Sequence, residues 1–268
     1  MFPEARFEGP PVAVVDWAAW SRCGTLRPAN GDAWGADGVT RFAIADGVGI
    51  NQGGQVAATH VVERFLGAPS AMDEALTREV SQSIRQESSE HGMVEAKSTF
   101  TSLSINQAGG HLLTHVGDSR AYLVRSHRVR RLTVDHNLDL LRRLEGERPD
   151  VSSRAGGSLF SWIGQHPGPK RIDVGYIDLV PEDLIFLTTD GVHRAISLPR
   201  FIIGMQAEGS CEAAIAAITD AVDNAPSGDD ATVIALRIGA ETAGSGSCLL
   251  YTSPSPRDRT RSRMPSSA

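Results

Sequence analysis

A chain of 268 residues, 41% hydrophobic and 22% charged, has the material for a sizeable core in one large globular domain. Its net charge of -6 argues against a nucleic-acid partner. No apolar run reaches membrane-spanning length and no basic flank leads into an apolar N-terminal stretch, so the sequence predicts neither a membrane segment nor a secretory signal, and a cytoplasmic location follows.

In chain order, Val12 to Trp17 and Arg41 to Ala45 read as strands, separated by a Gly/Pro/Asn-rich stretch that contains Arg27-Pro28-Ala29-Asn30-Gly31-Asp32. Gln55 to Phe65 reads as a helix. A second helix is marked by Met72, Ala75, Leu76, Val80, Ser83 and Ile84 on one face, with Glu74, Arg78 and Arg85 off it. A β-meander follows: Thr99 to Ile105, a Gly109-Gly110 turn, His111 to Val116, Arg120 to Arg125, a Ser126-His127 turn, and Val129 to Thr133. Between Asp135 and Lys170 the periodicity fades, and the Arg/Gly/Ser-rich composition suggests a mobile excursion near a site. Ile172 to Leu179 and Leu184 to Thr188 are strands, the latter apolar throughout as in a fully buried strand; Ile215, Ile218 and Val222 mark a helix, and Thr232 to Ile238 a last strand. Strands grouped before and after paired helices, without βαβ alternation, predict an α+β protein with antiparallel sheets covered by helices.

Four acidic motifs abut these strands: Asp46-Gly47-Val48-Gly49, Gly117-Asp118-Ser119-Arg120, Thr189-Asp190-Gly191 and Gly228-Asp229-Asp230-Ala231-Thr232. One Asp-Gly is an ordinary turn dipeptide. Four carboxylates at strand ends are different, since side chains from distant segments converge there. Crowded carboxylates would raise one another's pKa values, whereas divalent cations would keep them ionised. Oxygen-only ligands point to Mg²⁺ or Mn²⁺ rather than zinc.

The ordered set Arg27-x-x-Asn30-x-Asp32, Asp46-Gly47-x-Gly49, Gly117-Asp118-Ser119-Arg120-Ala121-Tyr122, Asp135-His136, Thr189-Asp190-Gly191 and Asp229-Asp230-Ala231-Thr232 resembles the metal-dependent type 2C protein Ser/Thr phosphatases (the PPM family) of bacterial type. The resemblance spans residues 10–239. It implies a four-layer α-β-β-α sandwich of two antiparallel sheets flanked by helix pairs. It also implies hydrolysis of phosphoserine and phosphothreonine in proteins by a hydroxide held on two Mn²⁺ or Mg²⁺ ions. Carried over residue by residue, Asp46 would bridge the ions with the Gly47 carbonyl as a further ligand, and Asp190 and Asp229 would complete the second ion's ligands. Asp118 would hold a third, weaker ion shared with Asp190. Asp32 would orient metal-bound water and Arg27 would grip the substrate phosphate. The implied partners are phosphorylated proteins, with the chain acting as a monomer against a Ser/Thr kinase. The other functional reading is a catalytically weak or inactive phosphatase-like domain that binds or regulates partners.

The sequence departs from the family pattern beside the ligands. Val48 stands where many eukaryotic members carry a histidine proposed as general acid, Gly31 replaces Glu or Gln, Ile50 and Gln55 replace Gly and Glu, and Lys97-Ser98-Thr99 replaces Gly-Thr-Thr. His60 reads as a packed or half-exposed helix residue and His136 as structural, with a place near the substrate as its alternative. Arg125, Arg128, Arg130 and Arg131 read as a solvated hairpin face, with docking of an acidic phosphoprotein as the alternative. Trp17, Trp20, Trp34 and Trp162 read as packing residues, and Cys23, Cys211 and Cys248 as buried or incidental thiols. Residues 240–247 form a Gly/Ser linker. Residues 248–268 read as a disordered tail, and they resemble one reading frame of a transposase-type sequencing-library adapter, which would make them foreign to the protein; a basic tail for an acidic partner is the alternative.

Overall fold

The structure is a computed structural model and describes residues 11–25, 27–49, 52–90, 92, 96–106, 110–146, 157–197, 209–225 and 228–240. The tail at 248–268, most of the expected linker, Ile50 and Gly109 lie outside these residues.

Among the described residues ten strands form two antiparallel sheets. The first contains β1 (Val12–Arg22), β10 (Ala231–Ala240), β9 (Leu184–Thr188), β6 (Arg120–Arg125) and β7 (Arg128–Arg131) in that spatial order; the second contains β2 (Asp32–Ala36), β3 (Arg41–Asp46), β4 (Phe100–Ser104), β5 (His111–Val116) and β8 (Asp173–Ile177). Helices α1 (Gln52–Gly67) and α2 (Glu74–Glu90) cover the second sheet, while α4 (Asp190–Ala195) and α5 (Cys211–Asp223) pack on the first. A short helix, α3 (Leu138–Leu144), precedes β8.

The period-2 alternation of strand side chains builds the layers. In β9, Leu184 and Phe186 face the α4/α5 layer, whereas Ile185 and Leu187 face the other sheet. In β3, Phe42 and Ile44 enter the seam between the sheets, while Ala43 and Ala45 meet Ala57 and Ala58 of α1, small residues on both sides that let helix and sheet approach closely. Three apolar cores therefore separate four layers, the expected α-β-β-α order. Trp17 stacks edge-on against both Trp34 and Phe42 in this seam.

Several elements differ from the sequence reading. Strand β2 lies within the stretch taken as a connection, because Gly35 interrupts its apolar pattern; the absent side chain admits Val62 and Leu66 of α1, which come within 2.6 and 2.7 Å of where a Cβ would stand. Ala75, expected on the buried face of the second helix, is exposed; the buried stripe is Thr77, Val80, Ser81, Ile84 and Ser88, starting after Asp73 caps the helix through Leu76 N at 2.8 Å. The described parts of the expected mobile excursion are pinned: Asn137 caps α3 and bridges to Leu159, and Ile163 bridges to Ser98. The hairpin arginines are not uniformly solvated, since Arg125 binds the buried Asp183 carboxylate at 2.7 and 2.6 Å and Arg131 pairs with Asp135. The Ser126-His127 turn is present, with φ of 48° and 61° at its two residues, as a type I′ hairpin requires.

Phe186 is fully buried between the first sheet and α5. Phe186→Ala should destabilise the fold by about 3–5 kcal/mol, read as a lower urea midpoint with an unchanged slope.

Candidate active site

The strand pairing brings the four acidic motifs to one end of both sheets. Asp46 ends β3 opposite Asp32 at the start of β2. Asp118 lies in the turn between β5 and β6, Asp190 follows β9, and Asp229 precedes β10. Because β9 pairs with both β6 and β10 at Thr188, through Arg120 and Val233, the last three carboxylates come from adjacent strand ends.

The structure gathers Asp46, Asp118 and Asp190, whose carboxylate oxygens lie within 4.8 Å of one another. Asp229 stands beside this group with its carboxylate engaged elsewhere: its Oδ1 accepts from Arg27 Nε at 3.1 Å and Nη2 at 2.7 Å, and Arg27 Nη1 donates to the Gly49 carbonyl at 2.9 Å. Arg27 lines an open groove with Pro28, Ala29, Gly31, Gln52 and Gln55. Asp32 is buried. Its Oδ2 accepts from Thr189 Oγ1 at 2.8 Å and Thr232 Oγ1 at 2.7 Å, whereas Oδ1 has no hydrogen-bond partner among the described residues.

Burial and mutual repulsion set the protonation of this cluster. Asp46 is pushed well above the usual carboxylate range, first by burial and then by the charges of Asp190, Asp32, Asp118 and Asp229. Burial, followed by Asp190, lifts Asp118 to about 7. Asp32 also rises to about 7, because burial outweighs its two threonine hydroxyl bonds. Oxygen donors alone, crowded and held short of their charge, are what a hard divalent cation would satisfy, and the residues fit such an ion.

Residues that carry no chemistry of their own fix this geometry. Asp46 N donates to Thr99 Oγ1, which bonds Ser119 Oγ, each at 2.8 Å, so a chain of hydroxyls joins the Asp46 and Asp118 segments. The Lys97-Ser98-Thr99 departure thus keeps a hydroxyl where it is used, and Lys97 O also accepts from Val48 N at 2.9 Å. His136 is structural as expected: its Nδ1 accepts from Gly117 N at 3.2 Å and its Nε2 meets Asp173 Oδ2 at 3.2 Å. Arg120 of the Gly-Asp-Ser-Arg motif clamps Asp135 through two parallel bonds. Asp230 ties the Arg27 loop to the Asp229 turn by accepting from Gly24 N at 2.7 Å and Gly31 N at 2.8 Å. A Cβ on Gly191 would lie 1.9 Å from the Asp230 carbonyl, so the Thr-Asp-Gly turn needs glycine there to pass beneath the Asp229-Asp230 turn. His60, half-exposed in α1, pairs with Glu87 of α2.

Sequence reasoning missed Arg194. It stands on α4 one turn after Asp190, and its guanidinium reaches Asp190 Oδ2 at 2.6 Å and Asp118 Oδ2 at 3.2 Å. The Asp190-x-x-x-Arg194 spacing is a helical i,i+4 pair, a signal visible only once a helix is placed at 190–195.

The family model for protein phosphatase 2C matches residues 24–160. The chain belongs to the protein phosphatase 2C family. It is 26% identical over 191 residues to the serine/threonine phosphatase stp of Listeria monocytogenes, a match covering 65% of this chain and 76% of that protein. The crystal structure of the Mycobacterium tuberculosis serine/threonine phosphatase PstP/Ppp superposes with a TM-score of 0.71 at 22% identity, covering 86% of this chain and 100% of that one. The catalytic domain of the phosphatase PstP in complex with two manganese ions gives 0.69 at 22% identity over 85% and 99% of the two chains.

The raised carboxylate pKa values carry a sign that can be measured. Between about pH 4 and pH 7 the metal-free fold holds protons on Asp118 and Asp32 that the unfolded chain has released, so stability falls as pH rises through this window. In EDTA, the melting temperature should therefore drop from about pH 5 to about pH 8; Asp118→Asn should lessen the drop, by on the order of 2 kcal/mol at the upper end, and thermal melts of both proteins across that range check it.

Proposed function

We propose that this phosphatase 2C domain hydrolyses phosphoserine and phosphothreonine in proteins with the help of two Mn²⁺ or Mg²⁺ ions. The observation that carries the reading is the convergence of Asp46, Asp118 and Asp190 within 4.8 Å, with Arg27 at the neighbouring groove. In this reading Asp46, Asp190, Asp229 and the Gly47 carbonyl hold the two ions. When bound, such ions supply Lewis-acid charge and make water a nucleophile at neutral pH. The manganese reported for PstP supports the assignment by kinship.

The chain's own residues supply binding and orientation. Arg27 offers a planar, permanently charged fork for the phosphate, and its hold on Asp229 and Gly49 keeps it beside the acidic cluster before substrate arrives. Asp32, with one oxygen fixed by two threonine hydroxyls and the other unengaged by protein, orients water next to Asp46. The groove beside Arg27 is open, which suits a phosphorylated side chain presented on a protein surface. Such substrates are the products of a Ser/Thr kinase, and the chain would act on them as a cytoplasmic monomer.

Hydrolysis of p-nitrophenyl phosphate and of a phosphothreonine peptide should require added Mn²⁺ or Mg²⁺, stop in EDTA and return on adding excess metal. Asp46→Asn should lower kcat at least about a hundredfold with the circular dichroism spectrum retained. Full-rate hydrolysis in EDTA would remove the metal from the reaction, and absence of hydrolysis under every metal condition would favour a binding role instead.

Arg27→Ala should act mainly on KM for the phosphopeptide, raising it about tenfold or more, as expected for losing charge-assisted hydrogen bonds to the phosphate. An unchanged KM in steady-state kinetics would take Arg27 out of the phosphate site.

A further inference from the structure

Arg194 occupies a place that the acidic motifs alone would leave to a cation. Its Nη1 lies 2.6 Å from Asp190 Oδ2 and its Nη2 3.2 Å from Asp118 Oδ2, so one guanidinium spans the same two carboxylates from which a third ion was expected to be built. The fork of the guanidinium suits two separate carboxylate oxygens. Its charge is fixed, because arginine does not deprotonate in proteins. The side chain reaches inward from the last turn of α4 while 57% of it stays exposed, so the contact is set by the i,i+4 spacing to Asp190 and not by enclosure.

We propose that Arg194 is a built-in cation that serves the Asp118–Asp190 pair in place of a third metal ion, leaving this protein a two-ion enzyme. A divalent ion between Asp118 and Asp190 would have to expel the guanidinium or sit against a like charge at short range. Arg194 touches neither Asp46 nor Asp229 among the described contacts and meets Asp190 through Oδ2 alone, while the guanidinium on Asp229 is that of Arg27, which the proposed reading turns toward the phosphate; the two principal ions therefore keep Asp46 free of Arg194. The assignment rests on the metal-phosphatase reading above and goes beyond it by fixing how many ions the chain holds.

The test is metal stoichiometry, not turnover. The full chain, Arg194→Met, Arg194→Lys and the double variant Arg194→Met/Asp118→Asn are dialysed to equilibrium against a series of Mn²⁺ concentrations up to the millimolar range, and bound metal is counted by mass spectrometry. The wild type should saturate at two ions. Arg194→Met should take up a third, weaker ion, and Asp118→Asn in the double variant should abolish that uptake. Arg194→Lys, which keeps the charge without the fork, should bind the third ion at least about tenfold more weakly than Arg194→Met, since a Lys ammonium still repels the ion as a point charge. Three ions on the wild type, or two on both the wild type and Arg194→Met, would overturn this assignment while leaving the two-ion reading in place. No bound ion on any of the four proteins would overturn both. Circular dichroism of each variant establishes that the count is made on folded protein.

Discussion

Carboxylates that share a seam with little water repel one another, and here the repulsion is concentrated on Asp46, which feels Asp190, Asp32, Asp118 and Asp229 at once. Nothing in the strand pattern requires these charges to meet; the antiparallel pairing of β9 with β6 and β10 on one sheet, and of β3 with β2 on the other, forces them together. The sandwich tolerates this because two arginines supply counter-charge from the rim, Arg27 on Asp229 and Arg194 on Asp190 and Asp118. Divalent cations would do the same from within. In the proposed reading stability and catalysis are tied to one electrostatic balance, and removing cations from the cluster would leave this repulsion uncompensated.

Holding that balance in place takes a support built mainly from neutral groups. The Ser119–Thr99–Asp46 hydroxyl chain crosses between the β5–β6 turn and the end of β3, and the backbone of residues 97–99 bonds Asp46 and Val48 in both directions. Asp230 accepts from two backbone N–H groups, which explains why two adjacent aspartates differ in role: Asp229 meets Arg27, whereas Asp230 staples the loop that carries Arg27. Thr189 and Thr232 converge on one oxygen of Asp32, so the two sheets are joined at the site by hydrogen bonds as well as by the apolar seam.

What the sequence disclosed follows from how strongly each segment is patterned. His111 to Val116, Arg120 to Arg125 and Leu184 to Thr188 were legible to the residue, because each carries a core of apolar or β-branched residues between turn residues or charged ends. Strand β1 continues past Trp17 to Arg22, since pairing with β10 down to Ala231 extends it beyond its own apolar signal. Helices α3 and α4 are seven and six residues long, too short to show a helical period, so their contributions went unseen. The same shortness hid Arg194. The four aspartates were visible as strand-end motifs, but the division between Asp46, Asp118 and Asp190 on one side and the Arg27-bound Asp229 on the other depends on side-chain reach, which spacing along the chain does not encode.

Gly47 is packed between Gly31 and Gly54, and a Cβ there would stand 2.4 Å from the Gly54 carbonyl carbon and 2.6 Å from the Gly31 carbonyl oxygen. Gly31 and Gly47 both line the groove beside Arg27, so main chain from two segments meets it there, with the Asp230 carboxylate alongside. At those two positions a larger residue is opposed, because its Cβ would meet backbone or carboxylate atoms, the nearest at 2.4 Å for Gly47 and 3.2 Å for Gly31. If the groove receives the substrate, as proposed, discrimination between one phosphorylated protein and another would fall to the side chains that line it beside Arg27, at Pro28, Ala29, Gln52 and Gln55.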